Sequence, residues 1–109
     1  MSIQRARTAE EFAEWVKQAR FEVQDLRQCL LYDMEEVGEA GYFPAFLDVL
    51  EWSIEEIYQA MCKGEYAFGR EDLRFMEILD RHAEQIPFAL LLRQINETHR
   101  YGLDVGEEE

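Results

Sequence analysis

Eight carboxylates crowd one stretch of the sequence, between Arg27 and Lys63, in which no lysine or arginine occurs. They are Asp33, Glu35, Glu36, Glu39, Asp48, Glu51, Glu55 and Glu56. Clustered carboxylates can hold Mg²⁺, which prefers oxygen ligands in proteins. They can also attract a basic protein surface, or they can form a solvated helix face that keeps a small protein soluble.

The first half of this acidic stretch allows a magnesium interpretation. Residues 34–40, MEEVGEA, resemble the first acidic motif of the all-α MazG-type nucleotide pyrophosphatases. The resemblance implies a magnesium-dependent enzyme that acts on a phosphorylated substrate. It also implies that the magnesium ligands are three glutamates of this chain: Glu35, Glu36 and Glu39.

The sequence departs from that family in two places. The family continues its helix past the motif, whereas this chain has Gly41 and Pro44 there. The family also supplies a second acidic motif that ends in aspartate, and residues 55–59, EEIYQ, lack that aspartate. We therefore keep the magnesium enzyme as the alternative and predict that the protein is not an enzyme.

No other pattern of metal-binding or nucleophilic residues is complete in the sequence. Di-iron four-helix proteins place a glutamate three residues before metal-binding histidines, and neither His82 nor His99 has one there. Cys29 and Cys62 lack zinc spacing, and we predict that both are free thiols. Ser53 has no identifiable catalytic partner in the sequence. We therefore predict no cofactor.

Composition and length restrict the class of protein. The chain has 109 residues, 48% of them hydrophobic, which suits one folded domain spanning residues 1–109. Its net charge of −13 disfavours direct binding to nucleic acid or to an anionic membrane. No apolar run approaches the roughly 18 residues of a membrane span. With no secretory signal and no cysteine pairing pattern, these features predict a cytoplasmic protein of bacterial or phage type.

Apolar periodicity predicts an all-α fold, an irregular up-and-down bundle of about four helices with one long N-terminal helix. Thr8 and Glu11 form a capping-box pattern that starts this helix. Its apolar residues recur at spacings of three and four for about eight turns. Gly38 and Gly41 are predicted to end it.

Proline and glycine delimit the three shorter helices. We predict helix 2 over residues 44–63, helix 3 over about 71–85 and helix 4 over about 87–100. Gly64 is predicted to stop helix 2, and Gly102 is predicted to stop helix 4. A basic arm, residues 1–7, and an acidic tail, residues 103–109, flank the predicted bundle. The tail is predicted to fray because termini without packing partners are poorly ordered.

Three aromatic residues lie opposite the apolar stripes of the first two helices. On helix 2, Trp52 shares the acidic outer face with three carboxylates: Asp48, Glu51 and Glu55. On helix 1, Phe21 and Tyr32 are eleven residues apart and share the outer face. Because tryptophan is a favoured interface anchor, each face either packs within the chain or meets another protein.

We predict that the protein is a small acidic interaction module that docks on a basic partner protein. The predicted partner-binding residues are Phe21, Tyr32, Glu36, Glu39, Asp48, Glu51, Trp52 and Glu55. Inhibitors, immunity proteins, small chaperones and nucleic-acid mimics share this physics, and the sequence does not rank them. The aromatic residues outside the stripes also allow a homodimer.

Overall fold

The computed structural model describes residues 3–37 and 45–104, without the side chains of residues 33–37. In this part of the chain it contains α1 (Ala9–Val37), α2 (Phe46–Cys62), α3 (Phe75–His82) and α4 (Ala89–Tyr101). A short 3₁₀ helix, Ala83–Gln85, follows α3, and the described residues include no strand. The predicted all-α fold with one long first helix is confirmed.

α1 and α2 form an antiparallel hairpin, as two ion pairs between them demonstrate. Arg20 of α1 contacts Glu55 of α2, and Arg27, seven residues further along α1, contacts Asp48. Residue numbers therefore rise along α1 as they fall along α2. Residue 30 is level with residue 45 in this register. The last two turns of α1 thus extend past the first described turn of α2.

α3 and α4 complete a closed arrangement of four helices. α3 packs against α2 and α4, and α4 also packs against α1. His82 at the end of α3 stacks on Phe46 at the start of α2, with ring centroids 4.4 Å apart. Arg100 near the end of α4 donates to the carbonyl of Arg70, which precedes α3. Successive helices therefore run antiparallel, as predicted for an up-and-down bundle.

One hydrophobic core fills the space between the four helices, and the predicted apolar stripes supply most of it. Burying one large apolar side chain stabilises a fold by roughly 1.5–3 kcal/mol. Two residues of the predicted first stripe, Met34 and Val37, lie outside the described side chains. The buried apolar residues are Ala6, Phe12, Val16, Ala19, Val23, Leu47, Leu50, Ile54, Ile57, Phe75, Ile78, Leu79, Ile86, Phe88, Leu92 and Ile95.

The predicted capping pattern starts α1. The Glu11 N–H donates to the Thr8 hydroxyl at 3.0 Å, and the Glu11 carboxylate accepts from the Arg7 N–H at 2.7 Å. Two backbone donors at the start of the helix, the N–H groups of Arg7 and Glu11, are thereby satisfied without water. The predicted end of this helix at Gly38 and Gly41 lies outside the described residues.

α2 ends where the glycine predicts. Gly64 has a φ of +71°, a left-handed conformation that favours glycine. Its N–H donates to the Met61 carbonyl at 3.1 Å, and the Glu65 N–H donates to the Ala60 carbonyl at 2.8 Å. This pair of bonds is a Schellman motif, which satisfies carbonyls at the end of the helix. The predicted start at Pro44 lies outside the described residues.

α3 begins at Phe75, four residues later than predicted, because a buried amide ties the preceding segment to α4. The Asn96 side chain accepts a hydrogen bond from the Leu73 N–H at 2.7 Å. It also donates one to the Asp72 carboxylate at 3.0 Å. These bonds hold residues 72 and 73 outside the helix. Local periodicity does not reveal a contact made by a residue on another helix.

The break between the last two helices follows from proline. Ile86, the residue before Pro87, is extended, with φ −116° and ψ 101°, as the proline ring requires. The last predicted turn of helix 3 is the 3₁₀ segment, and α4 begins at Ala89, two residues later than predicted. Gly102, with φ +84°, ends α4 as predicted.

The N-terminal segment lies against the end of α4. Ala6 is fully buried; its N–H donates to the Thr98 hydroxyl at 3.0 Å, and its carbonyl accepts from the Asp104 N–H at 2.7 Å. Arg5 donates to two carbonyls at the end of α4, at 2.8 and 3.1 Å. Residues 5 and 6 of the predicted basic arm are therefore seated on the bundle. Leu103, which we placed in the acidic tail, packs on the core.

Candidate interaction surface on the first two helices

Three of the predicted site carboxylates on α2 turn toward α1 and pair with its arginines. Arg20 Nε donates to Glu55 Oε1 at 2.5 Å. The Arg27 guanidinium contacts Asp48 Oδ1 at 2.8 Å and Glu51 Oε1 at 2.7 Å. Cations of the neighbouring helix thus compensate acids that have no basic residue near them in the sequence.

Ion pairing shifts the pKa of Glu55 and the pKa of Arg27. The hydrogen bond from Arg20, reinforced by one from Gln59, lowers the pKa of Glu55. The hydrogen bond to Asp48 raises the pKa of the Arg27 guanidinium, and the bond to Glu51 adds to this against the opposing effect of burial. The Glu55 carboxylate and the Arg27 guanidinium therefore remain charged at neutral pH, as stable ion pairs require.

The sequence contains a signal for this pairing that our local interpretation missed. Arg20 and Arg27 are seven residues apart, so they leave one flank of α1 two turns from each other. Asp48 and Glu55 have the same spacing on α2. An antiparallel hairpin aligns these two pairs with opposite signs. The acidic stretch between Arg27 and Lys63 excludes both arginines, so its composition gave no sign of this compensation.

The pairing leaves the three carboxylates unequally accessible. The side chain of Asp48 is 75% exposed, against 31% for Glu51 and 34% for Glu55. Glu56, next to Glu55 on α2, is also exposed. A cation from another protein can therefore reach Asp48 and Glu56, while the other two are largely committed to arginines of α1.

Trp52 lies on the protein surface and is 49% exposed. It belongs to the outer face of α2, as predicted from its position opposite the apolar stripe. The Arg74 guanidinium lies 4.6 Å from the centroid of the indole ring. This cation–π contact connects α2 to the segment before α3 and orients the ring. Arg74 was not among the predicted partner-binding residues.

Phe21 and Tyr32 are both exposed on α1, at 67% and 62%. A groove of about 380 Å³ brings Phe21 together with Glu51 of α2, although the two residues are far apart in the sequence. The groove is lined by Phe21, Gln24, Asp25, Arg27, Gln28 and Glu51. The first two helices thus present an outer surface with aromatic residues and ion pairs.

The magnesium alternative concerns residues that the structure does not describe. The side chains of Glu35 and Glu36 and all of Glu39 lie outside the described residues. In the part of the chain that is described, no group of three or more histidine, cysteine, aspartate or glutamate side chains could hold a metal ion. Cys29 and Cys62 are free and exposed. The magnesium enzyme therefore stays a prediction.

The connection after α2 contains a polar contact that the sequence analysis missed. The Tyr66 hydroxyl forms a short hydrogen bond with His99 Nδ1, and burial lowers the pKa of His99. Gly69 lies so close to this imidazole that a Cβ on it would come 2.8 Å from Nε2. Tyr66 and Phe68 both contact the Phe12 ring, although Phe68 stays 45% exposed. The cluster packs the connection onto the core.

Comparison with protein-family models, with curated proteins and with solved structures yields no match to this chain. The fold places the protein in the broad class of small all-α bundles. No helix among the described residues is long and apolar enough to span a bilayer. Its function must therefore be inferred from its own surface.

Acid should weaken the contact between α1 and α2. Because Arg20 lowers the pKa of Glu55, the ion pair stabilises the fold above the unfolded-state pKa of about 4.3, and this contribution is lost as pH falls below that value. We expect Glu55→Gln to lower the free energy of unfolding by up to about 1 kcal/mol at pH 7 and to have a progressively smaller effect as pH falls below about 4.

Urea denaturation at a series of pH values measures this difference. Glu56→Gln is the matched control, because Glu56 is the adjacent glutamate and is exposed. Equal effects of the two substitutions at pH 7 would contradict the assigned role of the Glu55 ion pair.

Proposed function

We propose that the protein is a non-enzymatic interaction module that docks on a basic partner protein through the outer face of α2. The observation that carries this proposal is Trp52, a large aromatic side chain that the fold leaves half exposed beside ionised carboxylates. Tryptophan is among the residues that contribute most to binding when a partner covers them. Acidic residues are depleted at the centre of protein interfaces, whereas the rim of an interface is polar.

In this proposal Trp52 supplies the packing contact, and the acidic residues supply the charge attraction. Trp52 is the anchor, and the accessible acids, Asp48 and Glu56, lie on the same helix. Glu51 and Glu55 contribute little direct pairing because arginines of α1 already occupy them. The net charge of −13 attracts a basic partner over a longer range and raises the association rate.

Arg74 supports the anchor. Its guanidinium, 4.6 Å from the indole centroid, restricts the rotamers of Trp52 before a partner arrives. A preorganised side chain loses less conformational entropy on binding. Inhibitor, immunity, chaperone and nucleic-acid-mimic roles all fit such a surface. The two free cysteines suit a reducing compartment such as the cytoplasm.

Site-specific photo-crosslinking tests the proposal. A benzophenone-bearing phenylalanine analogue replaces Trp52, and in a control protein it replaces Leu90, which is 64% exposed on α4. We expect the probe at position 52 to crosslink a basic protein in cells of the native host. The adduct should decrease as salt is raised before irradiation, because screening weakens charge attraction.

The captured protein, once purified, allows a quantitative test. We expect Trp52→Ala to weaken its binding at least about tenfold and Leu90→Ala to leave it unchanged. Identical adducts from positions 52 and 90, or equal effects of the two alanine substitutions, would exclude Trp52 as the anchor.

A further inference from the structure

The outer face of α1 is a second exposed surface, and it carries little charge for so acidic a protein. Phe21 and Tyr32, both more than 60% exposed, mark its two ends. They are about 16 Å apart along the helix axis, given the rise of an α-helix. Between them the face presents Gln24, Asp25 and Gln28, which carry a single charge. Two chains of net charge −13 can approach most easily at such a face.

A hollow of about 200 Å³ lies beside Phe21 on α1. It is lined by Glu14, Lys17, Gln18, Arg20, Phe21 and Gln24. Side chains spaced by three and four residues on one helix form the hole that receives a knob from a facing helix. The lining combines an aromatic ring with polar groups. It therefore fits a large side chain that is itself part apolar and part polar.

We propose that α1 pairs with α1 of a second copy of this chain, antiparallel about a two-fold axis near residues 26 and 27. In this register Tyr32 of each copy is level with Phe21 of the other and enters the hollow beside it. The phenol ring packs on Phe21, and its hydroxyl lies among the polar lining. The two contacts are equivalent, as a closed two-fold dimer requires.

The charge distribution along α1 favours a second copy as the occupant. The last turn of α1 has no basic residue, and Asp33, Glu35 and Glu36 add negative charge to the negative end of the helix dipole. The antiparallel register brings this end level with Lys17 of the other copy, although Glu14 lies one turn further along the same face. Lys17 makes no ion pair with any described residue. A basic protein would instead find only Asp25 between the two aromatic residues.

The length of the contact limits its strength. One pair of helices touching over a few turns buries an area at the lower end of the range for specific interfaces, so we expect a dissociation constant in the micromolar range. Charge repulsion between two chains of net charge −13 opposes the dimer. Added salt should therefore strengthen self-association, whereas it should weaken docking on a basic partner.

Sedimentation equilibrium of the full chain tests the proposal. We expect the protein to be dimeric at about 100 µM, and Phe21→Glu and Tyr32→Glu each to weaken self-association at least about tenfold. Leu90→Glu, an equally exposed apolar position on α4, is the matched control and should not change it. A monomer at this concentration, or a control as disruptive as Phe21→Glu, would overturn the proposal.

Disulfide crosslinking tests the direction of the helices. In a Cys29→Ser, Cys62→Ser background, Gln28→Cys lies near the proposed axis and should oxidise to a covalent dimer. Gln18→Cys should not, because the antiparallel register separates the two copies of residue 18 by about 25 Å. Equal crosslinking at both positions would indicate parallel helices and refute the proposed arrangement. Trp52→Ala should leave self-association unchanged, so this proposal and the proposed docking function can fail separately.

Discussion

Phe12→Ala is expected to lower the free energy of unfolding by about 3–5 kcal/mol, the range for truncating a fully buried phenylalanine. Phe12 is 2% exposed, and the rings of Tyr66 and Phe68 each lie 5.6 Å from its centroid. Removing it opens a cavity between α1 and the connection after α2, and it deprives two aromatic side chains of their packing partner. For a domain of this size, the melting temperature should fall by more than about 10 °C.

Phe21→Ala is the matched control, since it makes the same change nine residues further along α1. Phe21 is 67% exposed, so its truncation should alter stability by less than about 0.5 kcal/mol. Thermal unfolding followed by circular dichroism at low protein concentration, below the range of the proposed dimer, measures both. If the two variants melted at the same temperature, the assignment of Phe12 to the core and Phe21 to the surface would be wrong.

Asn96→Ala is expected to cost about 2–3 kcal/mol, because it removes two hydrogen bonds and leaves a backbone donor without its partner. Asn96 is 4% exposed and holds the Leu73 N–H and the Asp72 carboxylate. Without it, residues 72 and 73 lose their attachment to α4. We expect faster hydrogen exchange in this segment than in the wild-type protein, along with the lower stability.

Asp72→Ala removes the bond between the Asn96 amide and the Asp72 carboxylate but keeps the bond between the Asn96 amide and the Leu73 N–H. The Asp72 side chain is 56% exposed, so losing it should cost less than about 1 kcal/mol. Guanidinium denaturation of both variants gives the comparison. Asp72→Ala also removes the ion pair with Arg100, at 3.5 Å, so a loss of stability as large as that of Asn96→Ala would contradict the leading role assigned to the Leu73 N–H bond.

Phe12→Ala and Asn96→Ala both act on residues that fix a connection between helices to the bundle. One of these connections supports the proposed α2 surface. The cluster at Phe12 fixes the chain after α2, and Asn96 fixes the chain before α3. The latter segment includes Arg74, which orients Trp52. A substitution at Asn96 should therefore disturb the α2 surface without touching it. The outer face of α1, which carries Phe21, does not depend on that segment.

The helices and most of the core were predictable from local sequence patterns. Residues recurring at spacings of three and four identified the buried stripes, because one side of a helix must face the core for burial to stabilise it. Capping and stop signals at Thr8, Gly64 and Gly102 were read correctly, since they act within a few residues. The position of Phe21 and Trp52 opposite the apolar stripes also followed from the sequence, whereas their exposure was established by the fold.

The contacts between groups on different helices were not predictable from local patterns. Arg20 and Arg27 compensate the acids of α2 because the hairpin register aligns them, and no local pattern contains that register. Asn96 of α4 holds the residues before α3 outside the helix. Arg74, which also precedes α3, stacks on Trp52 of α2. Helix formation depends on neighbours within one or two turns, whereas pairing depends on how whole elements pack. The acidic stretch was therefore visible in the sequence, but its compensation by α1 was visible only in the fold.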